Sequence, residues 1–548
     1  MDFIATRLPY RETGSFSKTV LDYIDQSPSL QPFYAHPVNK QGVLKAIEAR
    51  KQFNTDRKTL VAELKKQYAN VPASAKVNAH IEQLLNANTF TITTAHQNNI
   101  FTGPLYFIYK IVHAIKLADE LKAALPENNF VPVYYIGSED ADLDELNNIT
   151  VGGQKLVWPT KQTGAVGRMK IDKELAKLIV SLEGQLSVLP HGNEIISLLK
   201  EHYKEGVTVQ DATFSFVHHL FAEYGLIVLL PDNAALKAAM NDIFKDDLLQ
   251  QTASGIVQTT AEKLAAAGYK VQANPREINL FYLKGSLRER IEKGNGEGRV
   301  ENGEWGMGNG EWRVVNTDLK FSETELLAEL QNSPERFSPN VILRGLYQET
   351  ILPNIAFIGG GGETAYWLQL KDLFDHYKIP FPILVLRNSF LLLENKWQEK
   401  IAKLHFTIAD FFLKEQELLA KLVARDSRNE TKLNGALTEL ENLYASFKKQ
   451  ASAVDSTLEK HVEALKLKTV SRLQELEKKM LRAEKRKFSD QQRQIHTIKS
   501  HLFPGDGLQE RIDNLSFYYA KWGADFIQQL YKHSPALEQE FVILTEKA

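Results

Sequence analysis

The chain has 548 residues, too many for a single core, so length alone implies about three or four structural units. Its 43% hydrophobic and 24% charged residues are ordinary for a globular protein, and a formal net charge of −2 leaves no electrostatic footprint for nucleic acid. The lack of any cysteine excludes disulfides, thiolate metal sites and a cysteine nucleophile.

The opening segment, MDFIATRLPYRETGSFSK, has no continuous apolar region and no small-residue cleavage site. No run approaches the roughly 18 apolar residues of a membrane span, so a cytoplasmic protein with no membrane partner is expected. The first strong pattern runs from Thr89 to Leu117. Phe90 and Ile92 among β-branched threonines predict a buried strand, and Pro104 suits a first helical position. Leu105, Ile108, Val112 and Ile115 then form one core-facing stripe. His96, Gln97, Asn98, Asn99, Thr102 and Gly103, with Tyr106 just beyond, gather where the strand ends and the helix begins. In open α/β sheets ligands bind there, and free N–H groups favour phosphate or carboxylate.

A second strand over Phe130 to Ile136 leads into an acidic run, Gly137 to Glu145. Its carboxylates Glu139, Asp140 and Asp144 suit a substrate amine or Mg²⁺; no metal site is firmly indicated. The run is not a calcium loop, because Glu145 stands where the turn glycine belongs and Val151 where the bidentate Glu belongs. A charge preference at a helix N-terminus produces the same composition. Further apolar strands are expected over Gly225 to Pro231, Asn354 to Ile358 and Pro382 to Leu386, bounded by Gly, Pro or Asn. Strands separated by helical patterns predict an α/β fold with a mostly parallel sheet.

The glycines Gly294, Gly296, Gly298, Gly303, Gly306, Gly308 and Gly310 read as hairpin turns within an insertion, because no strand is expected to feed them. Arg344 and Arg387 are each expected to close an apolar strand, where a guanidinium recognises carboxylate or phosphate in bidentate fashion; a structural salt bridge is the plainer use. Gln348, Glu349 and Asn388 accompany them. Gly359, Gly360, Gly361 and Gly362 follow a strand and precede Glu363, Tyr366 and Trp367, which suits close backbone approach to a ligand. They match neither the dinucleotide fingerprint nor the Walker pattern. No histidine metal motif occurs.

From Leu391 the character changes. Leu437, Leu440, Tyr444, Phe447, Ala451, Val454 and Leu458 alternate at three and four residues, and Val462, Leu465, Thr469, Leu473, Leu476 and Met480 continue the seam. Two long antiparallel helices joined near Arg425 to Gly435 are expected, with homodimerisation through the exposed seam. The basic cluster from Lys478 to Lys487 reads as a solvated coiled-coil face. The expected organisation is a core first half over 1–149, an insertion over 150–211, core again over 212–278, a Gly-rich insertion over 279–340, and the core's second half over 341–390. A coiled-coil arm over 391–503 and a C-terminal helical segment over 504–548, packing back on the core, complete it.

These blocks together resemble one family, the bacillithiol biosynthesis cysteine-adding enzymes, BshC. The resemblance rests on AHQNNIFTGPLYFIYK at Ala95 to Lys110, GSEDADLDELN at Gly137 to Asn147, GAVGRM at Gly164 to Met169, VILRGLYQETILPNIAFIGGGGETAYWLQL at Val341 to Leu370, LRNS at Leu386 to Ser389 and LFPGDGLQER at Leu502 to Arg511. Many members carry Gly-Gln-Gln where this chain has Ala95-His96-Gln97, and a histidine where it has Ala141, so position 141 receives no catalytic role. The resemblance implies a Rossmann-like core related to class I synthetases and nucleotidyltransferases, two connecting insertions and a coiled-coil dimerisation domain. It implies a ligase that joins the carboxyl group of cysteine to the amine of glucosaminyl-malate. Forming an amide from a free carboxylate is uphill, which makes ATP, or bound ADP, the expected cofactor, with Mg²⁺ as its companion. On this reading His96 and the Gly359–Gly362 backbone hold phosphate or carboxylate. Glu139, Asp140 and Asp144 take the amine or a metal, and Arg344 and Arg387 read malate or phosphate charge. A nucleotide-sugar-dependent transferase and a non-catalytic coiled-coil scaffold are the rival classes.

Overall fold

The computed structural model describes residues 2–294, 310–427 and 432–547. They form two compact units, one of residues 1–392 with 509–547 and one of 393–508. The first is built on five parallel strands, β1 (Thr89–Gln97), β2 (Asn129–Gly137), β3 (Ile227–Leu229), β4 (Asn354–Gly359) and β5 (Ile383–Leu386), in the spatial order β5-β4-β1-β2-β3. This is the Rossmann arrangement. Strands run outward from β1 to β3, then the chain crosses back to lay β4 and β5 on the other side of β1, so the strand order reverses between β1 and β4.

The strands read as near-continuous apolar runs because helices cover both faces of the sheet. The threonines of β1 are the exception, and the structure explains them. Thr91 and Thr93 donate to Asn354 Oδ1 at 3.1 and 2.8 Å, and Thr94 donates to the Ile358 carbonyl at 2.9 Å. Asn354 in turn donates to Glu349 Oε1 (2.8 Å), as does Gln348 (2.9 Å), while Arg50 donates to Glu349 Oε2 (2.8 Å) and to its carbonyl (2.7 Å). Gln348 and Glu349 therefore belong to a buried network at the amino end of β4, on the side of the sheet away from ligand chemistry. Both oxygens of the buried carboxylate are hydrogen-bonded there, one of them to a guanidinium, which is why a charge survives in the core.

Helix α1 (Tyr106–Ala124) buries Leu105, Ile108, Val112 and Ile115 as its periodicity predicts, and much of its other face as well. The helix Asp525–His533 packs on it from outside. Pro104 is not its first residue; it forms a β-bridge with Asn514 instead. Helix α2 (Val341–Ile351), capped by the Asn340 side chain, carries Arg344, which is thus helical rather than the end of a strand. Helix α3 (Gly361–Trp367) follows β4 directly.

The second insertion contains a five-stranded antiparallel sheet, with the strand Leu287–Lys293 leading straight into Gly294 and pairing with Glu311–Val314. A strand does feed the glycine run, contrary to the reading above; Gly296, Gly298, Gly303, Gly306 and Gly308 lie outside the described residues. The C-terminal segment is not wholly helical. Its strand Glu540–Glu546 pairs antiparallel with Phe3–Pro9 and neighbours Ser389–Leu393.

In the second unit, helices α4 (Asn434–Val454) and α5 (Leu458–Lys485) form the antiparallel hairpin, joined at Asp455–Thr457 rather than near 425–435. Asp455 Oδ1 accepts from the N–H and hydroxyl of Thr457, both at 2.8 Å, the local bond that stops a helix. Tyr444 meets Thr469 at 2.8 Å and Ser452 meets Glu459 at 2.7 Å, so residues equidistant from the turn face each other.

Arg50 and Glu349 are 1% and 0% exposed. Arg50→Ala strands an uncompensated buried carboxylate and should lower unfolding stability by about 3–5 kcal/mol, read by chemical denaturation. A loss below about 1 kcal/mol contradicts this role.

Candidate active site

The turn after β1 is a strained corner. Phe101 and Thr102 hold φ of 48° and 70°, a rare backbone for a β-branched residue, and Gly103 follows at 64°. A Cβ on Gly103 would lie 2.7 Å from the Asn99 side chain. Asn514 holds the corner by donating to the Phe101 and Gly103 carbonyls at 2.9 and 2.6 Å, and Leu105 N donates to Asp513 O at 2.7 Å. The N–H groups of Leu105, Phe107 and Ile108 are all spent within the chain, so this helix start is no open anion cradle.

What opens at the carboxyl ends of β1, β2, β4 and β5 is a cavity of about 490 Å³, within the range of small-molecule sites. It lies where the strand order reverses. Of the residues expected to meet a ligand, His96, Gln97, Tyr106, Glu139, Asp140, Arg344, Gly360, Gly361, Gly362, Glu363, Tyr366 and Arg387 line it. Others do not. Asn98 donates to Thr213, and Thr102 and Gly103 form the corner. Asp144 is exposed, and Gln348 and Glu349 sit in the buried network. Gly359 packs on Phe357, Trp367 stacks on the Phe357 ring at 4.7 Å, and Asn388 is bonded to Ser534 and to the Pro535 carbonyl.

The glycines serve packing first. A Cβ on Gly361 would lie 2.9 Å from Val20. The Gly360 N–H is already taken by the Glu363 carboxylate at 2.8 Å, so the chain's own acid caps α3. Glu363 also pairs with Lys110, a buried cation at 2% side-chain exposure that donates to the Ala95 carbonyl. Arg387, 4% exposed, is likewise compensated, by Glu510 at 2.7 Å. Its guanidinium also lies over the Tyr106 ring.

The carboxylates divide in the same way. Glu139 is bound to Lys237, which also lies 3.5 Å from Asp232, itself held bidentate by Arg168 at 2.6 and 2.8 Å. Burial raises the Glu139 pKa, and Lys237 opposes the rise. Asp140 differs. Burial opposes its charge, but hydrogen bonds from Gln97 (2.8 Å) and the Asp142 N–H (3.1 Å), with Arg344 and Arg288 nearby, hold its pKa below the usual carboxylate value. Asp140 is thus ionised and suited to hold a cationic amine. His96 is pushed well below the usual imidazole pKa by burial and by Lys110, Arg387 and Arg344. It is a neutral ring, edged by Tyr106 and Phe107, and its buried Nε2 lacks a hydrogen-bond partner among the described residues. A neutral imidazole brings no positive charge to the cavity and can meet a phosphate or carboxylate only through a ring N–H.

Sequence similarity agrees with this architecture. Residues 3–388 match the family model described as bacillithiol biosynthesis BshC, N-terminal Rossmann-like domain, and residues 390–546 match its C-terminal coiled-coil domain. The chain belongs to the BshC family. Relatives named "Putative cysteine ligase BshC" include those of Flavobacterium psychrophilum (39% identity, covering 98% of both chains), Flavobacterium johnsoniae (39%, 98% of this chain and 99% of the relative) and Cytophaga hutchinsonii (38%, 97% of both). The coiled-coil model runs through residues that the fold returns to the Rossmann unit, including Glu510 and Asn514.

Sequence reasoning missed Lys110, Arg288 and Arg511, which also line the cavity, as does Glu145 of the acidic run. Lys110 and Arg511 close two of the blocks that carry the family resemblance, so a signal was present. The GAVGRM block is explained by the acidic run. Val166 N donates to Asp140 O (2.8 Å), Gly167 N donates to Ser138 O (2.9 Å), and a Cβ on Gly167 would collide with Ser138. Among the described residues no group of three or more His, Asp or Glu is arranged to hold a metal ion.

Proposed function

We propose that this chain is a cysteine ligase that joins the cysteine carboxyl group to the amine of glucosaminyl-malate, with the switch-point cavity as its active site. The observation that carries this reading is the pairing, in one cavity, of an ionised Asp140 with an Arg344 whose hydrogen bond goes to the Tyr366 hydroxyl (3.2 Å) and not to a carboxylate. The names of the relatives support the reaction class. In the bond-forming step the ammonium first gives one proton to water, and the freed nitrogen attacks the cysteine carbonyl carbon. The C–N bond forms, the bond from that carbon to its activating group breaks with the electron pair leaving on that group, and the nitrogen gives a second proton to water, keeping one in the amide. ATP, when bound, supplies the activation that gives the carbonyl a leaving group. Asp140 holds the amine as its cation, Arg344 presents paired N–H donors to substrate carboxylate, and the neutral His96 offers Nε2 to a donor.

The second unit supports a homodimer, which we propose forms between copies of the arm. Helix α4 has no buried residue, and Leu443, Phe447, Leu465 and Leu476 are 49%, 44%, 44% and 45% exposed. Apolar side chains at seam spacing on a two-helix hairpin are stabilised by a second hairpin.

Purified protein with ATP, cysteine and glucosaminyl-malate should yield the cysteinyl amide, and Asp140→Asn should cut turnover by about a hundredfold or more with an unchanged melting temperature. Absence of product under every nucleotide condition, or full turnover in the variant, contradicts the reading. Replacing Leu443 and Phe447 together by Asp should halve the mass measured by light scattering; an unchanged mass rules out the arm as the contact.

A further inference from the structure

Arg288 lies on the strand Leu287–Lys293 of the second insertion, two residues past the hairpin turn Gly285–Ser286, and it lines the cavity. Three features fix it there. Its Nε donates to Ser338 Oγ at 3.3 Å, and its guanidinium carbon lies 3.9 Å from the centroid of the Phe281 ring. The third is Gly164, at φ +89°, where a Cβ would collide with the Ser286 carbonyl. Three residues on, Gly167 makes the same close approach to Ser138 in the acidic run. One short loop thus seats both the hairpin that carries Arg288 and the run that carries Asp140.

The cavity's cations divide by partner, and Arg511, which also lines it, is exposed. Lys110 and Arg387 are ion-paired with Glu363 and Glu510. Arg288 and Arg344 have hydroxyl partners, Ser338 and Tyr366, and no carboxylate within 4.0 Å among the described residues. Both act electrostatically on Asp140, and Arg288 acts also on Glu139, whose Oε2 accepts from the Ser338 hydroxyl at 3.3 Å.

We propose that Arg288, delivered by the second insertion, is a specificity-determining residue that reads the dicarboxylate end of the acceptor substrate together with Arg344. The proposal rests on the ligase reading for the identity of that acceptor. In glucosaminyl-malate the amine sits on the carbon next to the glycosidic one that bears malate, so amine and carboxylates are neighbours. An amine on Asp140 therefore brings the malate carboxylates to the two guanidiniums beside it. A planar fork suits each carboxylate, whereas an ammonium keeps the charge and loses the paired bonds.

The test is isothermal titration of the full chain with glucosyl-malate, which has the two carboxylates but no amine, and with its dimethyl ester. Wild type should bind the diacid and not the ester. Arg288→Ala and Arg288→Lys should each weaken diacid binding by about tenfold or more, the loss of a charge-assisted hydrogen bond. Both should raise KM for glucosaminyl-malate and leave KM for cysteine unchanged, and an unchanged melting temperature verifies that the variants fold. If wild type binds the diacid and Arg288→Ala binds it equally well, Arg288 does not read carboxylate, although the ligase reading stands. If wild type binds no malate glycoside, the proposal and the acceptor assignment fall together.

Discussion

The site depends on the reversal of strand order between β1 and β4. Each crossover in a parallel sheet places a helix on one face or the other, and where consecutive crossovers leave in opposite directions no helix start covers the carboxyl edge. His96 and Gln97 end β1, the acidic run follows β2, Glu363 follows β4 and Arg387 follows β5. These residues are distant in sequence and share a cavity because four parallel strands end at one edge. The corner after β1 must turn away quickly enough to leave that edge open. The left-handed backbone at Phe101 and Thr102, held by Asn514, is the means. A segment from the far end of the chain thus fixes the mouth of a site built near its beginning.

Charge compensation decides which groups are available. A buried cation with a buried carboxylate against it is a structural element, because removing either partner leaves an expensive charge behind. By that criterion Lys110, Arg387, Lys237 and Glu139 hold the walls, and Arg288, Arg344 and Asp140 face the contents. Glu510 belongs to the returning C-terminal segment, so this segment both shapes the cavity and neutralises one of its cations.

The five sheet strands were legible because a strand buried on both faces must be apolar throughout, and Gly, Pro and Asn punctuate it. Much of the cavity's lining was legible too, since loops at strand ends carry its polar residues. The position of the arm's turn was not. The three-and-four spacing passes unbroken from Val454 to Leu458, so the hairpin is marked only by Asp455 and Thr457 bonding locally. Arg344 was placed at the end of a strand because Val341-Ile342-Leu343 is an apolar run opened by two β-branched residues, and the Asn340 cap overrides that preference. Arg288 had no local signature, since its relevance comes from a hairpin seated on Gly164, more than a hundred residues earlier. Gln348 and Glu349 looked functional through proximity to Arg344, yet they lie a turn or more further along α2, whose last turn leads to the amino end of β4.

The account's central claim is that the switch-point cavity receives the acceptor substrate through charges the fold leaves uncompensated. The most direct measurement is the crystal structure of the chain with glucosaminyl-malate. The account predicts density in this cavity, with the amine on Asp140 and malate carboxylates on Arg288 and Arg344. Density for the substrate elsewhere on the molecule, or in the cavity with its carboxylates turned away from both guanidiniums, would contradict it.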